Sequence, residues 1–141
     1  MAISFQILAD RGLVYVRYGD HVNFGETLEA FGRYAAHPDF APGQRQLVDL
    51  SRVTSFENNY PELLKLQARK LDDFAQQGIQ TLLVYYAPTD ISFDMARLVR
   101  RSWDGLEGVV IRVAQTEEQA LEMIGERERS MADLLMQPGN R

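Results

Sequence analysis

The chain has 141 residues, a formal charge of -5, no cysteine and two histidines, His21 and His37. That length suits one domain with one core, with about two-thirds or more of the unfolded surface buried. Without thiols there are no disulfides, thiolate nucleophiles or zinc-thiolate sites. Two histidines exclude a histidine-rich metal centre, and the acidic balance argues against nucleic acid or an anionic membrane as main partner.

The opening MAISFQILAD lacks a basic start, a long apolar stretch and a small-residue cleavage site, and no apolar run nears the roughly 20 residues of a membrane span. A cytoplasmic chain is expected, since an unstapled sequence of ordinary composition suits a reducing compartment.

Ile3 to Leu8 and Leu13 to Tyr18 are short strand-like runs separated by Ala9-Asp10-Arg11-Gly12, a pattern that predicts a hairpin with positive φ at the glycine. Asn23, with Glu26 three positions on, gives a capping-box signal for a helix over 24–36, with Phe24, Leu28, Phe31 and Ala35 on one side. Two prolines and a glycine make 37–43 a loop. Gln46 to Leu50 reads as a short buried strand.

Pro61 sits in the first turn of a second helix whose expected apolar stripe is Leu64, Ala68, Leu71 and Ala75, ending near Gln77-Gly78. That stripe leaves Leu66 on the opposite, exposed side and Leu63 at the margin. Thr81 to Tyr86 has the β-rich composition of a central parallel strand. Ser92 opens a third helix with Met95, Leu98, Val99 and Trp103 inward and Asp94, Arg97, Arg100 and Arg101 outward, closed by Gly105 and Gly108. Val109 to Val113 is the last strand, and Thr116 with Gln119 signals a further helix carrying Ala120, Leu121 and Ile124.

The order ββαβαβαβα predicts an α/β domain, a mixed and mostly parallel five-stranded sheet flanked by about four helices. Residues 1–125 make up this domain. Residues 126–141, in which Met131, Leu134 and Leu135 form one apolar stripe, are expected as a C-terminal helix or tail.

Three stretches carry a likeness to a known group. They are Asp49-Leu50-Ser51 with Val53 at the third strand, Glu57-Asn58-Asn59-Tyr60 before the second helix, and Ala87 to Arg97. On these, and on the element order, the chain resembles the STAS and SpoIIAA-like superfamily, the anti-sigma-factor-antagonist fold, over roughly Ile3 to Ile124. The resemblance implies a non-enzymatic regulatory or protein-interaction domain. It also implies an Asp-Ser-Ser-Gly element at the mouth of the second helix, where a serine accepts phosphate and gains about -1.5 to -2 of charge. Asn58 stands at that phosphosite-equivalent position, and an amide cannot be phosphorylated; Thr54 and Ser55 are nearby hydroxyls. Read as residues, Asn58 or Asn59 caps the second helix. The SpoIIAA-like branch is also compared with the lipid-binding core of the CRAL-TRIO fold, which implies the alternative of a lipid or small hydrophobic ligand in an apolar pocket between helices and sheet. The aromatic residues serve such a pocket or an ordinary core.

If the parallel strands share a direction, loops 19–23, 51–60, 87–92 and 114–116 gather at one sheet edge, the place where open α/β sheets bind ligands. There they collect a polar cluster of His21, Glu57, Asn58, Asn59 and Asp90, with Asp20, Thr54 and Thr89. No further group is spaced to orient a His21 base, and no glycine-rich phosphate loop is present, so no catalytic residue, metal or cofactor is assigned. For binding, Phe93 beside Arg97 and Arg100, with Leu66 and the C-terminal apolar turn, forms a candidate surface for a protein partner or for self-association. The arginines at 97, 100 and 101 also complement a helix C-terminus and make a poor case for nucleic acid.

Overall fold

The computed structural model describes residues 3–74, 80–105 and 107–136. Five strands lie side by side in chain order: β1 (Ile3–Leu8), β2 (Leu13–Val22), β3 (Arg45–Phe56), β4 (Thr81–Tyr86) and β5 (Val109–Ala114). β1 is antiparallel to β2, through a tight turn in which Gly12 takes φ +62°, and every later pairing is parallel. Among the described residues the helices are α1 (Phe24–Ala35), α2 (Tyr60–Phe74), α3 (Asp90–Ser102), α4 (Glu117–Ile124) and the short α5 (Met131–Leu135). Ala75 and the Gln77-Gly78 end expected for α2 lie outside the described part, as does the side chain of Leu71.

Because each crossover moves one strand along in the same direction, connections of one hand lay their helices on one face of the sheet. Alternation along the strands divides the core accordingly. Val14, Val48, Leu83, Tyr85 and Ile111 join Tyr34 of α1 and Met95, Ala96 and Val99 of α3. Tyr15, Leu47 and Val84 join Ala120, Leu121 and Ile124 of α4 and Met131 and Leu134 of α5 on the other. Buried on both faces, the central strands are close to continuously apolar.

Helix starts follow the caps in the sequence. Asn23 accepts from the Glu26 backbone N–H at 2.8 Å and donates its amide to the Glu26 carboxylate at 2.9 Å. Thr89, rather than Ser92, caps α3, and Ser92 returns the contact to the Thr89 N–H in a reciprocal box. Thr116 accepts from the Gln119 N–H, while the Gln119 side chain reaches back to Gln115 rather than to Thr116 itself.

Three expectations need correction. β2 and β3 do not stop at Tyr18 and Leu50 but continue as a two-stranded extension in which His21 pairs with Ser55 and Val22 with Phe56. Val53, Thr54 and Phe56 are good strand formers, and their interleaved polar residues face solvent on an arm only partly covered. The roll of α2 is also different. Leu63 and Leu66 point inward, Leu66 at 5% exposure, while Leu64 is 42% exposed and Ala68 is exposed. Leu66 is therefore a core residue and not part of an exposed surface; the inward face is set by α1 and α3 on either side, not by the helix's own mean pattern. Phe93, thirdly, is half-buried and packs against the sheet core, so it is not the free aromatic expected beside Arg97 and Arg100.

Within the described part of the C-terminal stretch, 126–136, α5 docks on the sheet. Ser130 caps α5, the Met131 N–H donates to Glu117 at 2.8 Å, and Leu134 is fully buried.

Candidate functional site

The parallel strands bring their C-terminal ends to one edge, as expected. The β2–β3 arm projects from it. Two register shifts, between Arg17 and Gly19 and between Asp20 and His21, bend the arm, and Asp20 takes φ +54°, an arrangement typical of bulges. At its tip His21 Nδ1 lies 2.8 Å from Ser55 Oγ, with His21 exposed.

Glu57 is committed elsewhere. Its Oε1 accepts from the Phe24 N–H at 2.9 Å, and its own N–H donates to the Val22 carbonyl at 2.8 Å, so it closes the free first turn of α1 together with Asn23. Asn59, not Asn58, caps α2: its side-chain oxygen accepts from the Glu62 N–H at 3.3 Å and its carbonyl from the Leu63 N–H at 3.0 Å. Asn58 is exposed just before the cap. Asp90 is exposed in the first turn of α3, where a carboxylate complements the helix dipole. The edge thus gathers His21 with Ser55 but ties Glu57, Asn59 and Asp90 to three different helix starts. Among the described residues no carboxylate orients the imidazole, and no group of three or more His, Asp or Glu has the placement of a metal site.

The outer face of α3 is more distinctive. Arg97, Arg100 and Arg101, with Asp94, Leu98 and Asp104, surround an open depression of about 350 Å³. The Arg101 guanidinium stacks over the Tyr60 ring at 4.8 Å, a cation–π contact that ties the far end of α3 to the first residue of α2. The arginine group was legible in the sequence. The stack was not, since it joins two helices across a strand.

Aromatic residues mainly fill the core. Tyr34 makes edge-on contacts to Phe5 and Phe40, and the apolar space left among α1, α2 and the sheet is about 40 Å³, against roughly 300 Å³ for a usual small-molecule pocket. Among the described residues no helix is long and apolar enough to cross a membrane.

No protein-family model matches the sequence, and a search of curated proteins finds no match. Among solved structures, the chain is similar to that of the anti-sigma factor antagonist SpoIIAA in its unphosphorylated form, with a TM-score of 0.51 and 13% identity, covering 87% of this chain and 97% of that one. Identity at that level speaks to architecture alone. The five-stranded sheet in chain order, with its helices on both faces, is the SpoIIAA-like (STAS) fold.

Proposed function

We propose that this chain is a cytoplasmic, non-enzymatic regulatory domain that binds a protein partner through the start of α2 and the outer face of α3, without a phosphorylation switch at position 58. The observation that carries the reading is the Arg101–Tyr60 stack, which sets the Arg97, Arg100 and Arg101 group of α3 beside the residue two places after Asn58. Arginine and tyrosine held together at a surface are favoured anchors in protein interfaces. A concentration of guanidinium groups on a chain of charge -5 suits a partner that presents carboxylates, and the open shape of the depression suits a protein side chain better than an enclosed ligand. The fold supports the reading by likeness, since the solved neighbour is an anti-sigma factor antagonist.

The test is site-specific photo-crosslinking in cells, with the crosslinker at Arg97 or at Asn58 and a control at Glu29 on α1. The expected result is one recurrent protein from both test positions, lost from the Asn58 position in Arg97→Glu/Arg101→Glu; a crosslink to a second copy of this chain identifies self-association. Identical products from the control position or from the charge-reversed variant would refute the surface. Phosphate found on Thr54 or Ser55 in cells would refute the unswitched mechanism.

A further inference from the structure

The depression on the outer face of α3 carries a charge order that narrows the choice of partner. Its charged lining is Asp94, Arg97, Arg100, Arg101 and Asp104, all exposed, with the half-buried Leu98 among them. Asp94, Arg97 and Arg101 follow one another at i, i+3 and i+7, the spacing of one helix face. Asp104, at i+10, continues the row, because its N–H still donates to the Arg101 carbonyl, at 3.1 Å, just past the end of α3. The order along the row is therefore negative, positive, positive, negative, with Arg100 broadening the middle. Among the described residues no ion pair joins either aspartate to these arginines, so the charges are presented separately and do not cancel in contact pairs. Arg101 turns the face of its guanidinium to Tyr60, which leaves the N–H edge for a carboxylate.

The row reads the same from either end, and a two-fold axis would set like charge against like. Antiparallel copies of α3 bring Asp94 to Asp104 and Arg97 to Arg101; parallel copies bring each residue to its own counterpart. Self-association in register through this face is thus disfavoured. A uniformly acidic segment is disfavoured too, since its ends would meet the two aspartates. The complement is an acidic centre with a basic residue on each side. The aspartates are ten positions apart, about 15 Å at helical rise, a distance that an extended segment covers in about four or five residues. Resting on the partner surface proposed above, we infer that its occupant is a segment of a different protein with one or two carboxylates between two basic residues about four or five positions apart. The carboxylates sit among Arg97, Arg100 and Arg101, and the basic residues at Asp94 and Asp104.

The test is an amide NMR titration of the full chain at low ionic strength, where exposed charges are little screened. The probes are three end-capped peptides: Lys-Ala-Glu-Glu-Ala-Lys, its charge-swapped form Glu-Ala-Lys-Lys-Ala-Glu, and the all-acidic Glu-Ala-Glu-Glu-Ala-Glu. The first is expected to shift the α3 amides saturably and to bind about threefold or more tightly than either of the others, exposed ion pairs being individually weak. Asp94→Lys/Asp104→Lys, at two exposed positions, is expected to reverse that order in favour of the all-acidic peptide, and Arg97→Glu/Arg101→Glu to lose the first peptide. The inference is overturned if either other peptide does as well on the unaltered chain, if the aspartate variant keeps the original order, or if no peptide shifts α3. A different protein still captured by the crosslinker at Arg97 would then leave the partner surface standing and remove only the charge order; capture of a second copy alone would also overturn the inference. Should the aspartate variant not fold, the three peptides on the unaltered chain decide.

Discussion

The Tyr15 hydroxyl on β2 donates a 2.5 Å hydrogen bond to Asp49 Oδ2 on β3. The two residues sit diagonally on one face, since Tyr15 pairs with Leu47 and Arg17 with Asp49. Asp49 Oδ1 accepts in turn from the Ser51 N–H at 2.9 Å. Burial, and then the carboxylate, push the Tyr15 phenol well above its ordinary pKa. Tyr15→Phe leaves a buried carboxylate oxygen without its donor and is expected to cost about 2 kcal/mol in denaturant unfolding. Asp49→Asn keeps an acceptor and is expected to cost about half as much. A Tyr15→Phe variant within about 0.5 kcal/mol of the parent would contradict a structural role for this bond.

The roll and the cap of α2 are measurable together. Leu66→Ala is expected to cost about 3 kcal/mol as a core truncation, and Leu64→Ala about 0.5 kcal/mol or less as a surface change. Asn59→Ala is expected to lose about 1 kcal/mol while Asn58→Ala stays near zero. Thermal or chemical unfolding of the four variants checks both pairs, and a reversed order in either would overturn the assignment for that pair.

An ion cluster fastens the C-terminal segment. Arg45 donates to the Arg11 carbonyl at 2.6 Å, to the Ile124 carbonyl and to Glu126 at 3.0 Å, and Arg11 bonds both Glu126, at 2.5 Å, and Glu128, at 2.9 and 3.1 Å. Gly125 has φ +87°, and a Cβ there would stand 3.4 Å from Arg45 Nη1. Arg45→Ala is expected to cost about 3 kcal/mol, since it strands charged and carbonyl groups that are partly buried, and to speed amide exchange at Leu134. Arg11 holds the Glu128 carboxyl below its ordinary pKa. Its stabilisation is thus complete above the unfolded carboxylate value and is lost as pH falls through the folded one. Protection of the α5 amides, taken relative to their intrinsic exchange rates at each pH, is expected to fall first on acidification; a uniform fall across the domain would refute the clamp.

Alkaline stability combines two opposing effects. Lys70 titrates near 8 when folded against 10.5 ordinarily, so the unfolded chain binds the extra proton between those values and stability rises with pH there. Tyr18 and Tyr34, raised by burial to about 12 from 10.0, work the other way: their contribution is whole below pH 10 and is lost as pH climbs from 10 towards 12. Urea unfolding from pH 7 to 11 should show a rise followed by a fall. In Lys70→Met the rise should vanish and the fall remain; a persistent rise would show that another group causes it.

Local signals accounted for a good deal. The alternation of Ile3 to Leu8, the β-branched and aromatic run Thr81 to Tyr86, the hairpin glycine at 12 and the caps at Asn23 and Thr116 all specify elements from neighbours a few residues away, and the structure has those elements where the pattern puts them. The polar cluster was legible only as a roster. That His21 meets Ser55, that Glu57 serves α1 rather than His21, and that Asn59 rather than Asn58 closes α2 depend on the bent β2–β3 arm, whose polar alternation reads like loop.

Element identity and order, and with them the mixed sheet, were determined by the sequence alone, because backbone preference and hydrophobic period act over one or two turns of chain. Only the tertiary structure decided which side of α2 faces inward, which arginine stacks on Tyr60, and that Lys70 ends over the Phe31 ring. Each of these is a contact between elements, and its direction is set by how neighbouring helices share a fixed area of sheet rather than by any residue's own propensity.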